Sequence, residues 1–127
     1  MFYIVESSKS FYEATFDLAP VVQRLGFAVL KIHDLGEAQH GKAIELDDEC
    51  QVFEVSNDRL TGKLLAIDMR LSLGLPWRIS VFTENGATKI GLLRPGCLLA
   101  GFAQTAELAR LTLEIEEKLV QIVDEAR

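Results

Sequence analysis

Residues 76–95, Pro-Trp-Arg-Ile-Ser-Val-Phe-Thr-Glu-Asn-Gly-Ala-Thr-Lys-Ile-Gly-Leu-Leu-Arg-Pro, decide the fold. Two runs of alternating apolar and polar residues meet at Asn85-Gly86. This dipeptide readily adopts the two positive φ angles of a type I′ turn, the commonest two-residue connection in hairpins. The sequence therefore predicts a β-hairpin in which Glu84 faces Ala87 and Val81 faces Ile90.

The predicted register separates the hairpin into two unlike faces. A slip of one residue would move every side chain to the opposite face and mix the two sets, so the apolar pattern supports the register independently of the turn. The core face would carry Trp77, Ile79, Val81, Ile90 and Leu92, and the wetter face would carry Arg78, Ser80, Phe82, Glu84, Lys89 and Gly91.

Strand-like and helix-like patterns alternate in the rest of the chain. Alternating or continuous apolar runs predict strands at 2–6, 27–34 and 51–55. In the second of these, the period of two would place Ala28, Leu30 and Ile32 on one face and Phe27, Val29, Lys31 and His33 on the other. Residues 35–49 have weak periodicity, so we predict a loop with one helical turn.

Three amphipathic helices are predicted between and after these strands. The first follows a capping box at Ser10 and Glu13 and ends at Gly26, with a kink or a break at Pro20. The second follows Asn57 or Asp58. The third opens at Thr105. Their apolar stripes are Phe11, Ala14, Leu18, Val21, Val22 and Leu25; then Leu60, Leu64, Ile67 and Leu71; then Leu108, Leu111, Ile115, Leu119 and Ile122.

This order of elements predicts an α+β fold in a single domain spanning residues 1–127. Strands with one wet face, together with a few long amphipathic helices, favour a two-layer sandwich. We expect an antiparallel-rich sheet of five or six strands with the helices on one face. The apolar segment 97–102 fits a last strand or a helical turn, and Cys97 within it is predicted to lie in the core.

Composition limits the classes of function. The 127 residues carry a net charge of −6, which argues against a nucleic-acid surface because phosphate binding needs clustered Lys and Arg. The amino terminus lacks the pattern of a signal peptide, and no apolar run approaches the roughly 20 residues of a membrane span. Two distant cysteines, Cys50 and Cys97, favour a reducing compartment. We therefore expect a cytoplasmic protein with no membrane association.

Cys50 and His33 are the candidate catalytic residues. A cysteine nucleophile needs a base, here His33, and an electropositive setting that lowers the thiol pKa. The acidic residues around Cys50 oppose such a shift, and the alternative is a partly buried structural cysteine. A metal site could be assembled from His33, Asp34, His40, Glu45, Asp47, Asp48, Glu49 and Cys50, but the spacing matches no ligand motif, and the alternative is a solvated acidic loop with a surface histidine. No metal ligand is therefore assigned.

Trp77, Arg78 and Arg94 are the candidate ligand-binding residues. The predicted register places Arg94 opposite Trp77 at the open end of the hairpin. An arginine there would receive a carboxylate or phosphate, with the indole as an apolar wall. The alternative is an arginine that pairs with a surface carboxylate or packs over the Trp ring. The chain has no glycine-rich phosphate loop, nucleophile elbow or zinc-protease motif, so no cofactor is assigned and catalysis stays open.

Several segments together resemble a known family of small bacterial and archaeal proteins, the domain-of-unknown-function 302 family. They are the Tyr-Ile-Val-Glu strand at 3–6, Gly-Phe-Ala-Val-Leu at 26–30, His-Asp-Leu at 33–35, Asp-Glu-Cys-Gln-Val-Phe-Glu-Val at 48–55, Met-Arg-Leu at 69–71, Leu-Pro at 75–76, and the hairpin with Lys-Ile-Gly at 89–91 and Arg-Pro at 94–95. The resemblance covers nearly the whole chain, and its most specific part is the Cys50 strand combined with the Leu-Pro hairpin.

The resemblance implies a β-α-β(4)-α fold, similar to the TATA-box-binding-protein-like group, and a homodimer with irregular structure at 97–102. It also implies that relatives carry cysteines after the third strand and directly after Leu-Pro. Here Ser56-Asn57-Asp58 and Trp77 occupy those places and Cys50 alone remains, which weakens any thiol-pair role.

The residues and the resemblance together favour a non-enzymatic, dimeric module that binds a small ligand or a protein partner. The alternative is a thiol- or metal-dependent enzyme or redox protein that uses Cys50 with His33.

Overall fold

A computed structural model describes residues 1–36, 48–99 and 101–127 of the chain. Its strands are β1 (Phe2–Ser7), β2 (Ala28–Asp34), β3 (Cys50–Ser56), β4 (Trp77–Glu84) and β5 (Ala87–Leu93). Its longer helices are α1 (Phe11–Arg24), α2 (Asp58–Ile67) and α3 (Ala106–Ala126), and two 3₁₀ turns lie at Met69–Gly74 and Pro95–Leu98.

The described strands form one five-stranded antiparallel sheet in the order β1-β5-β4-β3-β2. Side chains alternate between its two faces. The face toward the helices, called the inner face here, carries the buried residues Phe53, Val55, Trp77, Ile79, Val81, Ile90 and Leu92. The α+β sandwich with helices on one face is thus confirmed.

The hairpin has the predicted register. Val81 lies opposite Ile90 and Glu84 lies opposite Ala87. Asn85 has φ 53° and Gly86 has φ 80°, the two positive values of a type I′ turn. All five side chains predicted for the core face are buried.

The helices begin at the predicted signals. Both hydrogen bonds of the Ser10–Glu13 capping box are present, Asn57 caps α2 and Thr105 caps α3. Gly26 follows α1 with φ 89°, the left-handed conformation expected after a helix. The α3 stripe is buried along its whole length, so the helices and the inner face share one hydrophobic core.

Four details differ from the expectations. A bulge between Val29 and Lys31 shifts the alternation of β2, so Ile32 lies opposite Phe53 and His33 opposite Val52. The second helix ends at Ile67, and Leu71 belongs to the following 3₁₀ turn, because Asp68 adopts an extended conformation that starts a new cap. Helix α1 is a single helix through Pro20, so of the kink and the break predicted there, the break is wrong.

The fourth difference concerns Cys97, which was predicted to be core but is exposed. Its segment folds as the short 3₁₀ turn Pro95–Leu98, which buries Pro95 and leaves Leu98 about half exposed. The loop predicted at 35–49 lies mostly outside the described residues, as do His40, Glu45 and Asp47.

Candidate functional site: the outer-face groove

The sheet face opposite the helices, called the outer face here, is uncovered in the described part of the chain. Three rows of side chains cross it. Registers between neighbouring strands place Ile4, Gly91, Ser80, Val52 and His33 in the central row. One flanking row contains Arg78, Glu54 and Lys31, and the other contains Glu6, Lys89, Phe82 and Cys50.

The central row forms the floor of a groove across the sheet. Gly91 and Ser80 lie side by side in its middle, where small side chains leave space between the larger flanking residues. The resulting cavity has a volume of about 800 Å³ and is called the outer-face groove here. On the outer face it is lined by Phe2, Ile4, His33, Val52, Arg78, Ser80, Phe82, Gly91 and Leu93. The same cavity extends past the end of the sheet, where it is lined by residues 73–77, Leu92, Leu98 and Leu119, and Leu35 lies at its other side.

Gly91 is required by the close approach of β1. A Cβ at position 91 would lie 2.8 Å from Ile4 Cγ1 and 3.1 Å from the carbonyl oxygen of Tyr3. Real Cβ atoms essentially never come as close as the first of these distances. The absent side chain therefore lets Ile4 lie over β5 and form one end of the groove.

Glu54 joins two of the candidate residues on the outer face. Its Oε1 lies 3.3 Å from His33 Nε2 and 3.7 Å from Arg78 Nη2. The Glu54 side chain is only 18% exposed, whereas that of Arg78 is 65% exposed. The two side chains thus form a cross-strand ion pair in which the guanidinium is the more accessible partner at the groove.

Cys50 also lies on the outer face, opposite Phe82 and in a different row from His33. Partial burial raises the pKa of the Cys50 thiol, and the charge of Asp34 raises it further. Such a thiol is protonated near neutral pH, which counts against a resting thiolate nucleophile. Among the described His, Cys, Asp and Glu residues, no group of three is placed to hold a metal ion.

Arg94 does not line the groove, and Trp77 meets it only where the cavity continues past the end of β4. Trp77 lies on the inner face, 94% buried and in edge-to-face contact with Phe27, with ring centroids 6.0 Å apart. The Arg94 guanidinium lies 5.2 Å above the Tyr3 ring and 3.8 Å from Glu116 of α3. Neighbouring positions on a strand point to opposite faces, which separates Trp77 from Arg78.

Sequence reasoning missed Glu54 and the Gly91–Ile4 contact. Glu54 is the one carboxylate among the apolar residues of β3, and alternation with Phe53 and Val55 places it opposite the core face. That signal was present in the sequence. Its pairing with His33 and Arg78 depends on strands that are distant along the chain.

A second, smaller cavity of about 240 Å³ lies between the two 3₁₀ turns and α3. Leu64, Leu71, Leu75, Leu98, Phe102 and Ile115 line it. Arg70 at its edge stacks over Phe102 and forms a bidentate pair with Asp68. The Arg70 guanidinium is engaged by Asp68 through hydrogen bonds of 3.2 and 2.7 Å, whereas Arg78 has a single 3.7 Å contact with Glu54, so the outer-face groove is the stronger candidate site.

Within residues 1–36, 48–99 and 101–127, the geometry defines a small α+β sandwich with a groove on the sheet face away from the helices. Residues 3–126 match the family described as "Domain of unknown function DUF302", so the chain belongs to the DUF302 family. The crystal structure of an uncharacterised conserved DUF302 protein from Bacillus stearothermophilus is similar, with 27% sequence identity and a TM-score of 0.91.

That similarity covers 99% of this chain and 98% of the Bacillus chain, so it extends over the entire fold. No curated protein matches the sequence. Among the described helices, none combines the length and apolar character that a membrane crossing requires.

Proposed function

We propose that the protein is a non-enzymatic, cytoplasmic, dimeric module that binds a small ligand in the outer-face groove. The main support for this proposal is the volume and the lining of the groove. Its volume of about 800 Å³ falls within the range of roughly 300–1,000 Å³ that is usual for small-molecule sites. Its lining combines many apolar side chains with a few polar groups, which is the usual composition of such sites.

The exposed apolar side chains around the groove support a binding surface. Phe2, Ile4 and Leu93 are 64%, 49% and 48% exposed, and they are neighbours on β1 and β5. Contiguous exposed apolar groups of this kind mark surfaces that bind ligands or other proteins. Both described cysteines are free thiols, which agrees with a reducing compartment.

The alternative, an enzyme or redox protein using Cys50 with His33, has less support. The two residues share the outer face, but they lie in different rows, and the pKa of the thiol is raised. A catalytic thiol requires the opposite shift. Protein interaction through the same face is the closer competitor, since both proposals use the exposed apolar groups.

A thermal-shift screen of metabolites, lipids and metal ions tests ligand binding directly. A ligand present at one hundred times its dissociation constant stabilises the folded state by about 2.7 kcal/mol. We expect at least one class of compound to raise the melting temperature. Absence of a shift with every class would contradict the proposal.

A groove-filling variant then locates the site. In Ser80→Trp the indole occupies the middle of the groove, so the ligand-induced shift should disappear while the far-UV spectrum is unchanged. Gln121→Trp on the exposed side of α3 adds the same side chain away from the groove and is the matched control. A shift that survives in Ser80→Trp would place the ligand elsewhere.

A further inference from the structure

We infer that the ligand of the outer-face groove is an apolar monocarboxylate, with its carboxylate at Arg78 and its apolar body across Gly91 and Ser80. This inference rests on the proposed function and names the class of compound that the groove would take.

The charge of the groove is opposite to that of the protein. The chain has 19 acidic and 13 basic residues and a net charge of −6. Yet Arg78 and His33 are the titratable side chains that line the groove, and no carboxylate lines it within the described residues. Arg78 supplies the positive charge of the lining, and the neighbouring Glu54 carboxylate offsets part of it. A cationic side chain in a groove of an acidic protein favours an anionic ligand at that place, because the acidic groups elsewhere on the surface repel an anion.

Arg78 is the charged side chain that the groove offers to an anionic group, so we assign a single negative charge to the ligand. Glu54 is the cross-strand neighbour of Arg78, and one of its oxygens lies 3.7 Å from Nη2, which is an ion pair longer than a hydrogen bond. A guanidinium has five N–H donors in a planar fork, and this single long contact leaves an outer edge for a second carboxylate. Carboxylates fit that edge with two parallel hydrogen bonds, which is the reason for choosing a carboxylate head.

The rest of the groove determines the body of the ligand. From Arg78 the lining runs over Ser80 and Gly91 to Ile4 and Phe2, with Phe82 and Val52 alongside. Hydrogen-bonding side chains are scarce along this path, so a sugar or a nucleotide would leave polar groups without partners and lose affinity. An alkyl chain or an aromatic ring would instead remove apolar surface from water on both partners.

Three probes with one chain and different heads test the inference. Octanoate, 1-octanol and octylamine are titrated into the full-length protein, and binding is followed by calorimetry and by amide chemical shifts in a two-dimensional NMR spectrum. We expect octanoate to bind at least about tenfold more tightly than octanol, since a charge-assisted hydrogen bond contributes about that factor. Octylamine should bind most weakly, and the shifts should include Ser80 and Gly91.

Arg78→Met keeps the length and apolar surface of the side chain and removes its charge. The affinity for octanoate should fall about tenfold, to the level of octanol, while the affinity for octanol stays constant. Arg24→Met removes a surface arginine that pairs with Glu125 on the helix layer, and it should leave all three affinities unchanged.

The outcomes separate this inference from the proposed function. If none of the three probes binds and the screen also finds no ligand, the proposed function fails. If octanol and octylamine bind in the groove as tightly as octanoate, or if Arg78→Met leaves octanoate binding unchanged, the groove is a site but the carboxylate assignment is wrong. Octyl phosphate is a fourth probe, and binding more than tenfold tighter than octanoate would also overturn the assignment.

Discussion

At the scale of single residues, the shape of the outer face depends on Gly91, because this residue has no Cβ atom. Gly91 lies between Ile4 and Ser80 in the central row, and the missing Cβ allows the Ile4 side chain to lie against β5. The glycine therefore has two consequences. It permits the close packing of β1, and it keeps the middle of the groove open.

Gly91→Ala should lower the free energy of unfolding by about 1–3 kcal/mol, the usual cost of overpacking, because the new Cβ meets Ile4 Cγ1 and the Tyr3 backbone. Urea denaturation measures the change. Gly62→Ala in α2 is the matched control, since a Cβ there meets nothing within 4 Å and Ala should raise stability by about 0.5–1 kcal/mol. A neutral Gly91→Ala would contradict the close approach of Ile4.

Cys50 gives a second prediction at this scale, with a defined direction in pH. In a Cys97→Ser background, the rate of alkylation by iodoacetamide should rise with a midpoint above the value of about 8.5 for a free thiol, because burial and Asp34 raise the pKa. The folded state binds this proton more tightly than the unfolded chain. The contribution of this proton to the free energy of unfolding is therefore fully present at pH values below the Cys50 pKa of the unfolded chain. It is lost as the pH rises through the Cys50 pKa of the folded state. A midpoint below 8 would instead support the nucleophile.

At the scale of elements, helix α1 combines a favourable start with an unfavourable interior. The Ser10–Glu13 capping box satisfies backbone donors at its first turn. Pro20 then removes one donor from the interior, so the carbonyl of Phe16 lacks its usual helical partner. Phe16 and Pro20 are both exposed, and water can solvate that carbonyl. Exposure explains how the helix continues through a proline.

Pro20→Ala should raise the free energy of unfolding by about 1–2 kcal/mol. Restoring the hydrogen bond and removing the ring clash contribute up to about 3 kcal/mol, and the more flexible unfolded chain offsets about 1 kcal/mol of that. Gln23→Ala, an exposed position in the same helix, is the control and should change stability by less than about 0.5 kcal/mol. A loss of stability on replacing Pro20 would show that its ring contributes packing.

At the scale of the whole molecule, the helices protect one face of the sheet and leave the other to solvent within the described residues. Apolar side chains at the edge of the outer face, Phe2, Ile4 and Leu93, are about half exposed or more. A second copy of the chain that buries them would cover the Ile4 end of the central row and leave the part of the row from Ser80 to His33 accessible.

Sedimentation velocity at micromolar concentration tests the proposed homodimer. We expect twice the 14.1 kDa mass of one chain, because the exposed apolar edge is removed from water on association. Phe2→Glu should shift the equilibrium toward monomer, whereas Phe16→Glu on the exposed side of α1 is the control. A monomer at these concentrations for the unaltered protein would contradict the dimer.

The sequence determined the local elements of this protein. The period of two in residues 77–92, the Asn85-Gly86 turn and the capping residues act over a few positions, so the hairpin register, the helix starts and the buried stripes could be predicted. The inner and outer faces followed from the same alternation. Arg78 and His33 were also identified, because charged or titratable groups on the wet side of a strand stand out.

Only the tertiary structure decided how these residues meet. Strand order β1-β5-β4-β3-β2 brings Ile4, Gly91, Ser80, Val52 and His33 into one row, although they are distant along the chain. A single bulge in β2 reassigns its side chains, and Glu54 joins His33 to Arg78 only across paired strands. Pairing between distant segments is set by the packing of the whole core, which periodicity along the chain does not encode.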